Sequence, residues 1–114
     1  MKIVINSDFG GFGLSNEAIE LYLKKKGLPI YSQGTDFGMT YYYTGPEMTN
    51  EQFISDDDFE RNDPVLVEVV EELGVAAAGS AATLKIIEIP DDVDWVIEDD
   101  DGAEWVSEVH RTWG

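Results

Sequence analysis

The sequence predicts an α+β fold in which two helices pack on a mostly antiparallel sheet ending in a C-terminal β-meander. Three observations predict it. Two amphipathic segments carry cap residues at both ends, one near residues 15–27 and one near 63–74. The last third consists of short apolar-alternating runs separated by turn residues. The order β-α-(β)-α-β-β-β lacks the regular strand–helix alternation of a parallel α/β fold. At 114 residues with 43% apolar side chains, the chain makes a single domain, 1–114, with a modest but real core.

Lys2-Ile3-Val4-Ile5-Asn6 reads as a short buried strand. The glycine-rich segment from Asp8 to Leu14 is too permissive for regular structure. A helix follows, with Ser15 as N-cap, Glu17 and Glu20 toward its positive end and Lys24-Lys25-Lys26 toward its negative end. Gly27 suits the left-handed position after the helix, and Pro29 prevents continuation. Leu14, Ala18, Leu21 and Tyr22 form its apolar stripe, widened by Ile19 and Leu23.

Between 28 and 62, Leu28 to Ser32 reads as a short strand, Met39 to Thr44 as another, and the surroundings of Asp56-Asp57-Asp58 as an exposed loop. Asp63 then caps a second helix, with Pro64 in its first turn, Leu66, Val69, Val70 and Leu73 as its stripe, and Gly74 at its end. The small-residue run Ala76 to Ala82 offers a surface where backbones can approach closely.

The meander is predicted as Leu84–Ile89, Val93–Asp99 and Ala103–His110. For its last turn, a three-residue loop (Asp100-Asp101-Gly102) pairs Ile97 with Trp105 and Trp95 with Ser107. A two-residue Asp101-Gly102 turn pairs Ile97 with Val106 and turns Trp105 to the other face. The three-residue loop is expected, because it gathers Val93, Trp95, Ile97, Trp105 and Val109 on one buried face. Asp94, Glu98, Glu104, Glu108 and His110 then form an acidic outer face.

Charge is the exceptional property: 24 acidic against 7 basic residues, net −17. Residues 1–50 hold five acids and four Lys, whereas 51–114 hold nineteen acids against Arg61, Lys85 and Arg111. Such a field repels nucleic acid and anionic membrane and attracts basic protein surfaces. Direct nucleic-acid binding through a basic footprint is therefore not expected. The sequence has no Cys, which removes disulfides, thiolate metal sites and Cys nucleophiles and fits a reducing cytoplasm. No run approaches the roughly 20 apolar residues of a membrane span, and the first strand stops too soon for a signal peptide.

Several constellations have both a chemical and a structural reading. Gly10, Gly11 and Gly13 between a strand and a helix start at Ser15 could cradle a phosphate, with Arg61, His110 and Arg111 as counter-charges. The spacing matches no phosphate-loop motif, and the structural alternative is a loop needing positive φ with Phe9 and Phe12 in the core. The Asp-Phe-Gly repeats at 8–10 and 36–38 lack every other kinase element. The runs 56–58 and 99–101 do not follow a spaced calcium-loop pattern and read as solvated charge, so no metal or cofactor is expected. His110, the only histidine, has no nucleophile motif beside it, so no catalytic residue is assigned. Of Tyr41, Tyr42 and Tyr43, an alternating strand must turn at least one outward, where Tyr41 and Tyr43 would suit an interface.

The segments Phe9-Gly10-Gly11-Phe12-Gly13-Leu14-Ser15, Arg61-Asn62-Asp63-Pro64, Val69-Val70-Glu71-Glu72-Leu73-Gly74 and Glu104-Trp105-Val106 with His110-Arg111-Thr112-Trp113 together resemble a family of small uncharacterised bacteriophage and prophage proteins. The resemblance implies a phage source and work in a bacterial cytoplasm, often against host machinery; it implies no chemistry. The expected function is a non-enzymatic inhibitor that binds the basic surface of a host defence protein. Asp94, Glu98, Glu104 and Glu108 would stand in for nucleic-acid phosphates, as in an anti-CRISPR or anti-restriction protein, and Tyr41 and Tyr43 would add short-range contacts. The alternatives are a binder or hydrolase of a nucleotide immune signal and a virion structural or assembly protein. Homo-oligomerisation is left open.

Overall fold

The computed structural model describes residues 1–109. Strand β1 (Lys2–Asn6) leads through the glycine-rich loop to helix α1 (Asn16–Lys25), then to the hairpin of β2 (Tyr31–Gly34) and β3 (Thr40–Tyr43). Helix α2 (Pro64–Leu73), β4 (Leu84–Glu88), β5 (Trp95–Asp100) and β6 (Ala103–Glu108) complete the order. The fold is α+β, with antiparallel pairing throughout.

The strands form three two-stranded sheets, β1–β4, β2–β3 and β5–β6. The expected meander is therefore divided: β4 turns away from β5 and pairs with β1, Val4 opposite Ile86. The reason is burial. Strand β1 has Ile3, Val4, Ile5 and Asn6 buried, and an isolated strand of that kind requires a backbone partner for its inward amides. Helix α2 packs on β1 and α1 packs on α2, so Val4, Leu14, Ala18, Leu66, Val69 and Val70 meet in one core.

Both helices begin and end where their caps predict. The Ser15 hydroxyl accepts from the Ala18 amide at 3.1 Å, and the Asp63 carboxylate accepts from Val65 at 2.9 Å. Asp63 also accepts from the Tyr22 hydroxyl at 2.6 Å and pairs with Lys26 at 3.2 Å, tying α1 to the start of α2. Lys25 bridges to Glu68 and Glu72, both at 2.9 Å.

Between the helices the outcome differs in detail. Strand β2 starts at Tyr31 rather than Leu28, leaving Leu28, Pro29 and Ile30 exposed ahead of the ladder. Pro29 has no amide to give a ladder. The acidic run Asp56–Asp58 is a single 3-10 turn closed by a capping box with Ser55, and so is more ordered than an exposed loop. Tyr42 is buried, with its hydroxyl donating to Glu20 at 2.6 Å, while Tyr41 is exposed and Tyr43 half-buried. No described helix is long and apolar enough to cross a membrane.

Candidate functional site

The two ends of the glycine-rich loop are tied within the chain: Gly10 donates to Asp101 O at 3.1 Å, Ser15 to Ala77 O at 2.9 Å, and Leu14 to the Asp56 carboxylate at 3.3 Å. Two other backbones press against it. A Cβ on Gly79 would stand 3.2 Å from the Gly13 carbonyl carbon, and one on Gly102 would stand 2.8 Å from Gly11 Cα. The absence of a side chain at Gly79 and at Gly102 thus lets the 78–79 segment close on one side of the loop and the β5–β6 turn on the other.

An open cleft of ≈ 820 Å³ borders this loop, walled by the β2–β3 hairpin and by residues 78–82. Among the described residues its lining holds no Lys, Arg or His, and it does hold Asp56 and Asp57. Burial pushes the Asp56 carboxyl above its ordinary value, against the pull of the Leu14 amide. Gly10, Gly11, Gly13 and Ser15 all line this cleft, and the Asp56 carboxylate already accepts from the Leu14 amide beside them. Arg61, expected as their counter-charge, does not line the cleft, and His110 and Arg111 lie outside the described residues. Phe9, expected in the core, is 67% exposed, whereas Phe12 does pack against the core.

Arg61 faces the edge of β1 that β4 leaves open. Its carbonyl accepts from the Val4 amide at 2.8 Å, and its Nη1 donates to Val4 O at 3.3 Å. Its guanidinium pairs with both oxygens of Glu104, at 2.7 and 2.9 Å, and lies 3.5 Å over the centroid of Phe12. Glu104 also accepts from the Asn6 amide at 2.8 Å. The ion pair and the Arg61 backbone therefore take the place of a missing strand along β1. Burial pushes the Glu104 carboxyl up, but Arg61 and the Asn6 amide outweigh it and hold the group below its ordinary value.

That placement corrects the expected acidic face. The hairpin closes on a two-residue turn, Asp101 at φ 51° and Gly102 at φ 91°, and Ile97 pairs with Val106, Glu98 with Trp105. Both positive φ values belong to the tight turn whose twist matches the strands. Apolar patterning favoured the other register because it buries Trp105, but the inner face is committed to a polar anchor: Glu104 reaching Arg61 and Asn6. Glu104 and Glu108 thus share the inner face with Trp95, Ile97 and Val106, while Asp94, Glu98 and Asp100 stand outside with Trp105. Of the four carboxylates expected on one surface, Asp94, Glu98 and Glu108 are exposed, and the Glu104 side chain is only 9% exposed.

Asn6 is the residue sequence reasoning passed over. It is fully buried, and its side chain donates to Asp8 O and Gly102 O and accepts from Asp8 and Thr83 amides. One amide group thereby joins β1, the glycine-rich loop, the entry to β4 and the hairpin turn. The available signal was a polar residue closing an otherwise apolar strand. Tyr41 and Tyr43 flank Phe53 in edge-on contacts at 5.8 and 5.9 Å, which forms a small aromatic surface apart from the acidic hairpin. Comparison with known proteins finds no matching family model, curated protein or solved structure.

Proposed function

We propose that this is a non-enzymatic acidic binding protein that docks on the basic surface of a protein partner and blocks nucleic acid from that surface. One observation carries the reading: the segment from Glu88 to Glu108 holds ten carboxylates and no Lys, Arg or His. Among the described residues only Glu104, with Arg61, and Asp91, with the N-terminal amine, have a cationic partner there. Six of these ten lie in the β5–β6 hairpin, which is docked by its turn and by β6. The partner class that the phage resemblance suggests is a nuclease or nucleic-acid-binding defence complex of a bacterial host, and the protein would act as its inhibitor in the host cytoplasm.

Steered association of this kind is fast at low salt and slows as ions screen the field, over a Debye length of about 10 Å at 0.1 M. The test captures the partner from a bacterial lysate with the whole protein, then measures its association rate across salt and its competition with duplex DNA or RNA. A rate falling steeply with salt and mutual exclusion with nucleic acid are expected. Salt-insensitive association, or a partner that holds nucleic acid and this protein together, overturns the reading.

A further inference from the structure

We propose that the outer face of the β5–β6 hairpin is an arginine-binding platform, on which Trp105 stacks against a guanidinium and Glu98 pairs with it. The proposal rests on the acidic-binder reading and names the partner chemistry: a protein segment that presents Arg. Trp105 is 46% exposed, although a one-residue change of register would have buried it. Val96 and Val109, 43% and 45% exposed, stand on the same face, with Glu98 and Ser107 between them and the indole. Asp94 and Asp100 lie on that face as well.

The indole is held in position. Glu98 is its direct cross-strand neighbour, and Trp105 Nε1 donates to Glu98 Oε2 at 3.1 Å. The Ser107 hydroxyl donates to the same oxygen. Two donors fix the carboxylate beside the ring and leave Oε1 without a hydrogen bond from a described residue. An aromatic face with an adjacent carboxylate suits a planar guanidinium, which stacks and donates at once, better than a compact ammonium. The chain uses the same combination internally, where Arg61 lies over Phe12 and pairs with Glu104. On the outer face the ring and carboxylate are turned to solvent, in a field that draws cations in.

The probe is octa-arginine, compared with octa-lysine of equal charge, titrated into the whole protein. The Trp105 indole N–H resonance and the emission of a Trp95→Phe/Trp113→Phe variant report on Trp105. Octa-arginine is expected to shift both signals and to bind at least about threefold tighter than octa-lysine, as a stacked cation requires. Trp105→Leu, an exposed change, should remove that preference while leaving the shared, salt-sensitive binding, and Glu98→Gln should reduce it. Equal affinity for the two peptides with unmoved Trp105 signals overturns the platform and leaves the acidic binder standing. Failure of both peptides to bind overturns the platform together with the reading it rests on.

Discussion

Glu104 and Arg61 are two charged side chains held largely out of solvent in a strongly acidic chain. Their pairing satisfies the open edge of β1, so its removal leaves Arg61 and the Asn6 amide with a poorer acceptor in a half-buried place. Glu104→Gln should cost about 2–3 kcal/mol at pH 7, within the range for a broken, partly buried pair. The carboxyl is more acidic in the folded protein than its ordinary 4.5. Its contribution is therefore complete above that value and is lost as pH falls through the depressed folded value. Denaturant unfolding at neutral pH and again near pH ~3 should show the gap between the two proteins narrowing in acid. Asp63, held low by Tyr22, the Val65 amide and Lys26 against its own burial, moves in the same direction in both proteins and cancels in the difference.

At the scale of elements, the β5–β6 hairpin shows how one polar contact overrides an apolar pattern. Alternation along 93–109 is compatible with two registers, and counting buried side chains favours the one that hides Trp105. The structure takes the other, because a two-residue turn satisfies Asp101 and Gly102 locally and aims Glu104 at Arg61. Register is testable directly in a chain with no native Cys. Ile97 and Val106 face each other at a position where antiparallel partners come closest, about 4.5–5.5 Å between Cα atoms. Ile97→Cys with Val106→Cys should oxidise to an intramolecular disulfide under mild air oxidation, read by mass and thiol titration. Ile97→Cys with Trp105→Cys should stay reduced, since those side chains point to opposite faces. The reverse result would restore the three-residue loop.

For the whole molecule, net charge sets stability as well as binding. Lys2, Lys25, Lys26 and Arg61 are already engaged with Glu71, Glu68 and Glu72, Asp63 and Glu104. The remaining carboxylates repel one another across a small surface. Screening weakens that repulsion and the exposed ion pairs alike, but the repulsive pairs are far more numerous at 24 acids against 7 bases. Adding salt from about 0.02 to about 0.3 M should therefore raise Tm by several degrees. A Tm that falls with salt would mean that ion pairs, rather than self-repulsion, dominate the electrostatics of the folded state.

The sequence by itself determined what depends on near neighbours along the chain: the two helices and their caps, the short apolar strand at the start, and the imbalance of charge after residue 50. Those features follow from spacing, cap chemistry and composition, which need no knowledge of distant contacts. Only the tertiary structure decided which strand β1 takes as its partner, that two distant backbones close on the glycine-rich loop, and which face of the hairpin carries Trp105. Each of these turns on groups 40 or more positions apart, as when Asn6 meets Glu104 and Gly102, or Arg61 meets Glu104. Pattern along the chain records that a side chain is polar. Whether it solvates itself or closes an open strand edge is settled by what arrives beside it in space.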